Sequence, residues 1–186
     1  MQLELNREFP PEAQYIRNIY SQHDLTVIIT TLAPLTDLIH STNASLHDNT
    51  YKRLHGNWKE WEVVIWNWRL NKRKNINIIG FTVLFCLGVT IARCYCERET
   101  EEAFEYMFSS LWAAIKEATG KEVKFKFIHG EGLAAIVMDG CKPQVTGCGR
   151  ALVAQARDLE NSCCQETDPH VIVQYIVQTC FVHLNR

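Results

Sequence analysis

The sequence predicts a mixed α/β domain in which antiparallel strands run through a long helix into a buried fourth strand. Three observations carry this. Trp61–Leu70 (WEVVIWNWRL) is dense in Val, Ile and Trp, as a pleated, half-buried segment requires. Between Ala103 and Ile115, apolar side chains recur at positions 103, 104, 107, 108, 111, 112 and 115, the spacing of one helical face. Leu133–Met138 is a short, wholly apolar run closed by Asp139 and Gly140, which suits a strand buried on both faces.

With 186 residues, 47% of them apolar and 22% charged, the chain can bury a sizeable core and lacks the composition of a disordered segment. A net charge of −2 does not single out a nucleic-acid binder. The average conceals a contrast. Tyr51 to Lys74 holds seven Lys or Arg against two Glu, whereas Glu97 to Glu105 holds five Glu against one Arg. A basic stretch beside an acidic one suits phosphate contact near a cation site, and equally suits two solvated faces. Eight cysteines are scattered through apolar runs or adjacent to one another, and Met1–Arg7 has no apolar core. Reduced thiols in an intracellular protein are therefore expected.

The first 43 residues predict a helical preface. Pro11 suits a first helical turn, with Tyr15, Ile16, Ile19 and Tyr20 following at roughly helical spacing. A second helix is expected over Asp24–Ile39, broken or kinked at Pro34. The core over 44–186 then begins with a strand over Leu46–Leu54. Gly56–Asn57 turns it into the strand of Trp61–Leu70, and Val89–Cys96 gives a third. Thr100 offers an N-cap, acidic residues fill the first turn, and Gly120 supplies the stop. Lys121–Phe127 alternates charged and apolar residues like an exposed strand, and helices follow over Pro143–Leu159 and Pro169–Thr179. A meander of three strands that continues through a helix to a parallel fourth is the start of a ribonuclease-H-like arrangement, although a generic α+β domain shares its punctuation.

Ile76–Ala92 competes with this reading. It spans 17 residues without a charge and follows Lys72, Arg73 and Lys74, which fits a single-pass membrane anchor. Asn77, Thr82, Thr90, two glycines and a high content of β-branched residues favour buried strands instead.

Two aspartates fall where such a fold would use them. Asp48 lies in LHDNTYKR on the first core strand, and Asp139 ends AAIVMDG after the fourth. Adjacent strands would bring both carboxylates to one sheet edge, and hard divalent cations that activate water for phosphoryl transfer take oxygen ligands. Taken singly, each aspartate also suits a turn or a helix cap. Cys180-Phe-Val-His183 supplies two zinc-type ligands, which Cys94 with Cys96 or Cys163 with Cys164 would have to complete. Buried packing for Cys180 and a surface place for His183 is the alternative. No local Cys–His arrangement favours nucleophilic catalysis. Gly130-Glu-Gly132 and Gly147-Cys-Gly149 lack the spacing and the lysine of phosphate loops, so turns or close helix packing are expected there.

These elements together resemble the catalytic core of Mutator-like transposases over about residues 40 to 186. The resemblance rests on Asp48-Asn-Thr50-Tyr-Lys52, VTIARCYC, the Glu99–Thr100 opening of a long aromatic helix, Asp139 after a buried strand, and Cys180 with His183. It implies a ribonuclease-H-like fold, DNA as ligand, Mg²⁺ or Mn²⁺ on Asp48 and Asp139 as catalytic residues, and a nuclear site of action. Lys52, Arg53, Lys59, Arg69, Lys72, Arg73 and Lys74 are then the phosphate-contacting residues. In the family the third acidic residue lies beyond the Cys-x-x-His segment, and this chain ends three residues after His183. Residues 75–88 are extra to the family pattern and read as an insertion. The expectation is a fragment or decayed relative holding two of three acids, inactive alone. A non-catalytic binding module, a homo-oligomer and a bound zinc remain alternatives.

Overall fold

The computed structural model describes residues 8–10, 13–22, 25–50, 56–66, 88–157 and 164–180. Within these, β1 (Ile16–Gln22) and β2 (Leu25–Thr31) form an antiparallel pair. A short helix α1 (Ala33–Thr36) and a 3-10 turn (Asp37–Ser41) lead to β3 (Ala44–Thr50), β4 (Lys59–Trp66) and β5 (Gly88–Cys96). Next come α2 (Glu101–Thr119), the one-turn helix α3 (Lys126–His129), β6 (Ala135–Met138), α4 (Lys142–Arg157), α5 (Pro169–Ile176) and β7 (Val177–Thr179). The described strands make one seven-stranded mixed sheet in the order β1-β2-β5-β4-β3-β6-β7. β3, β4 and β5 form an antiparallel meander, while β6 runs parallel to both β3 and β7.

One sheet face carries the core. Val27 and Ile29 on β2, Trp61, Val63 and Ile65 on β4, Cys94 and Cys96 on β5, and Ile136 and Met138 on β6 are all buried. They alternate with less buried neighbours at the period of two that a half-covered sheet imposes. Helix α2 lies across this face. Phe104 meets Trp61 edge-on with ring centroids 4.9 Å apart, and Phe108 sits 5.4 Å from the His47 ring.

The termini of α2 follow the sequence signals. The Thr100 hydroxyl accepts from the Ala103 N–H at 3.2 Å, and Gly120 closes the helix in the left-handed region at φ 69°. Against α2 packs α4, at Gly147. A methyl group there would stand 2.5 Å from Phe104 Cβ and 2.6 Å from the Glu101 carbonyl oxygen, so only glycine allows the approach. Arg150, one turn further along α4, reaches Glu101 Oε2 at 2.7 Å and lies 3.6–3.7 Å from Glu102 and Glu105.

Three expectations are corrected. The described residues before 44 form an antiparallel strand pair and short turns of helix, not a pair of helices. The helical spacing of Leu25, Ile28, Ile29 and Leu32 is overridden by the β-branched run Thr26–Thr31, stiff at χ1 and suited to a pleat. Burial there follows the strand period, with Val27 and Ile29 at 0% exposure. Pro34 sits in the first turn of α1, where its missing N–H is harmless. The second correction concerns Lys121–Phe127, which is not a strand. Val123 and Phe125 are buried as their alternation requires, but the backbone makes only one isolated bridge, Phe125 to Leu133, before turning into α3. Third, the last helix stops at Ile176. Val177–Thr179 are extended and pair with Ile136–Met138, because β6 offers an edge whose backbone groups need partners.

Gly88–Ala92, the end of the candidate membrane segment, belong to β5, while 76–87 lie outside the described residues, as does 75–87 of the expected insertion. Among the described residues no helix is long and apolar enough to cross a membrane.

Candidate metal site

β3 and β6 run parallel in the register Ala44↔Ala135, Ser45↔Ile136, Leu46↔Val137 and His47↔Met138. Asp48 and Asp139 are the next residue on each. Neighbouring strands stand about 4.8 Å apart, so this register brings the two backbones side by side at the end of the ladder. β7 extends the arrangement by one strand: Met138 pairs with Thr179, and the Cys180 N–H then donates to the Met138 carbonyl at 2.8 Å. Past Asp139 the chain turns at Gly140, with φ 79°, and enters α4.

Alternation assigns the faces. Ser45 and His47 point into the core beneath α2, so Asp48 belongs to the opposite face, against which none of the aromatic contacts of α2 is made. Across the antiparallel ladder Asp48 is paired with Glu62, and directly paired residues share a face. Glu62 was not among the sequence candidates. The signal was present in the alternation of Glu60 and Glu62 with Trp61 and Val63, but it needed the register to connect it to Asp48. Glu62 is engaged: Arg93 Nε lies 3.2 Å from its Oε1 and 3.2 Å from Oε1 of Glu60. Glu60 is 4% exposed, so this guanidinium balances a carboxylate largely removed from water.

The core side of β3 offers no chemistry to a substrate. Ser45 Oγ and His47 Nε2 are 3.1 Å apart, but both residues are buried beneath α2. Burial pushes the His47 imidazole down to about 4, so it is neutral near neutral pH. The thiols of Cys94 and Cys148 are raised by burial, and that of Cys96 is pushed up to about 11 by burial in the first place, the reverse of an activated nucleophile.

The zinc expectation fares differently at each residue. Cys94 and Cys96 lie on β5, with β4, β3 and β6 between them and the β7 end that precedes Cys180. Four strand spacings amount to roughly 19 Å, too far for a shared ion bound at about 2.3 Å. Cys163 and His183 lie outside the described residues, and Cys164 is buried. Among the described residues no group of three or more His, Cys, Asp or Glu side chains is arranged to hold a metal ion. Of the expected phosphate-contacting residues, Lys59 opens β4, and Lys52, Arg53, Arg69, Lys72, Arg73 and Lys74 lie outside the described residues. Gly130 and Gly132 form a positive-φ turn after α3, and Gly147 and Gly149 serve helix contacts.

No family model matches the chain, and no curated protein or solved structure matches it either.

Proposed function

We propose that this chain is a ribonuclease-H-like domain of Mutator-like transposase ancestry, with Asp48 and Asp139 as its ligands for Mg²⁺ or Mn²⁺ and DNA as its partner. The carrying observation is the β3–β6 register, which ends one residue short of both aspartates. The order β5-β4-β3-β6-β7, antiparallel on one side of β3 and parallel on the other, supports the same reading. Two carboxylates on neighbouring strands suit a hard cation, whose role in phosphoryl transfer is to activate water and stabilise the leaving oxygen. Calorimetric titration of Mn²⁺ into the protein and into the Asp48→Ala/Asp139→Ala double variant tests it. Saturable binding that disappears in the variant is expected. Equal heats from both proteins would sink the proposal.

A second reading has an observation in its favour. Arg93 occupies Glu62, the carboxylate paired with Asp48, so the charge that would help collect a cation is spent inside the fold. A non-catalytic binding module derived from the same fold fits that arrangement. On this reading DNA binding weakens with salt, as phosphate contacts demand, yet is unchanged in the Asp48→Ala/Asp139→Ala variant. Loss of binding in that variant would count against it.

A further inference from the structure

Helix α5 buries one side of itself against the rest of the molecule. Ile172, Val173 and Ile176 are buried, and α4 meets the helix at Gly149, where an added methyl would stand 2.4 Å from the Pro169 carbonyl oxygen and 2.9 Å from Val173 Cγ1. The helical period then turns Gln174 and Tyr175 outward, and both are exposed. Tyr175 is 57% exposed, so the fold itself leaves a large aromatic surface in water. Its ring lies flat on that of Phe127 in α3, with centroids 4.2 Å apart and planes 3° from parallel. Every other ring contact among the described residues is inclined, by 33° to 89°. Phe127 is partly buried and packs against the core, so the inner ring is anchored and supports the outer one. One face of Tyr175 is thus covered by Phe127, and the other is left to solvent.

The uncompensated charge around this pair is positive. Neither Lys126–His129 nor Pro169–Cys180 contains an Asp or a Glu. Asp168, just before α5, is engaged as its N-cap and accepts from the His170 N–H at 2.8 Å, and Glu131 is ion-paired with Lys124 at 2.6 Å. Lys126, next to Phe127 in the chain, is exposed and has no ion-pair partner among the described residues. A flat aromatic face beside an uncompensated cation is complementary to a base and its phosphate, and not to an acidic surface.

We propose that Tyr175 is a stacking platform for a base of single-stranded nucleic acid, with Lys126 contacting the adjoining phosphate. A base adds a third ring to a stack the protein has already built, so little further ordering is needed, and every base has a π-face to offer. A duplex keeps its bases stacked on one another and presents their edges and its phosphates instead. The inference rests on DNA as the partner proposed above, and not on the two aspartates.

The probe is a fluorescent oligodeoxyadenylate of about twelve nucleotides, within the span that one binding domain covers, followed by anisotropy on the full chain in EDTA over a range of salt. Saturable micromolar binding is expected. Tyr175→Ala weakens it about tenfold or more, a loss of about 1.4 kcal/mol or more, whereas Tyr175→Trp keeps the flat face and the affinity. An abasic strand of the same length carries the same phosphates without the rings. It binds the native protein as weakly as oligodeoxyadenylate binds Tyr175→Ala. Lys126→Ala lowers the slope of log affinity against log salt by about 0.7, the loss of one phosphate contact on a single strand. Absence of saturable binding would overturn the proposal. So would equal binding of the abasic strand, failure of Tyr175→Trp to keep the affinity, or an unchanged salt slope in Lys126→Ala. The Asp48→Ala/Asp139→Ala variant binds the strand as the native chain does, so the cation site and the platform are read separately. DNA binding that is the same with and without the Tyr175 ring would strike the platform and leave DNA as the partner.

Discussion

Asp48 stands opposite Glu62 in the β3–β4 ladder, and Glu62 is held by Arg93 at 3.2 Å. The same guanidinium holds Glu60, so one cation on β5 organises two carboxylates on β4. Arg93 thereby offsets negative charge on the carboxylate paired with Asp48.

Replacing Arg93 by Met is expected to act in two directions. Glu60, nearly excluded from water, loses its counter-charge, and stability falls by about 1–3 kcal/mol, a value reduced because the Arg93 side chain is 38% exposed. Glu62 loses this counter-charge at the same time, so affinity for Mn²⁺ is expected to rise. Urea unfolding reads the first effect and calorimetry the second. A variant that is less stable yet binds Mn²⁺ no better would separate Glu62 from the cation site.

Thr100→Ala removes the hydroxyl that accepts from the Ala103 N–H, the N-cap of the longest described helix. A loss of about 1 kcal/mol is expected in chemical denaturation, and Thr100→Ser, which keeps the acceptor, recovers most of it.

Gly147→Ala and Gly120→Ala test two different demands on glycine. At Gly147 the new methyl meets Phe104 Cβ and α2 backbone atoms within 2.7 Å, so the helices must part; about 1–3 kcal/mol is expected. At Gly120 there is open space but a left-handed backbone, φ 69°, and the cost is about 1 kcal/mol. A larger loss at Gly120 than at Gly147 would contradict the packing described for α2 against α4.

Acid should destabilise the protein through His47. Its folded pKa, about 4, lies below the ordinary 6.5, so the unfolded chain binds more protons between those values. The contribution is fully present above about pH 6.5 and is lost as pH falls toward 4, with a slope of at most about 1.4 kcal/mol per pH unit. Melting temperatures across pH 4–7 measure it. His47→Gln should flatten that portion of the profile; an unchanged profile would assign the acid sensitivity elsewhere.

What the residues disclosed by themselves depended on whether the deciding interaction was local. Thr100 and Gly120 bound α2 correctly because a cap is made within one turn of chain. The meander was legible from Gly56–Asn57 and the Val- and Trp-rich segment beside it. β2 was misread, since Leu25, Ile28 and Ile29 fit a helical period while Leu25, Val27 and Ile29 fit a strand period, and the choice is made by pairing with β5, more than sixty residues away. β7 was missed for the same reason: Val177–Thr179 continue a helical pattern, and only the β6 edge turns them into strand. The candidate site divides likewise. Asp48 and Asp139 were singled out as carboxylates on or just after strands, whereas their neighbouring positions, and Glu62 with its Arg93 partner, required the register.

The placement of β6 also sets an expectation for how this molecule assembles. Four residues long, it lies between β3, roughly ninety positions earlier in the chain, and β7, roughly forty later, so both ladders close long loops. The β1–β2 hairpin and the β3–β4 pair close far shorter ones and can form before either. Contacts at Ile136 are then made late. Truncating that side chain should accelerate unfolding far more than it slows folding, with the reverse balance at Val63 in the meander. The segment that delivers Asp139 beside Asp48 thus closes the longest loop among the described ladders of the sheet.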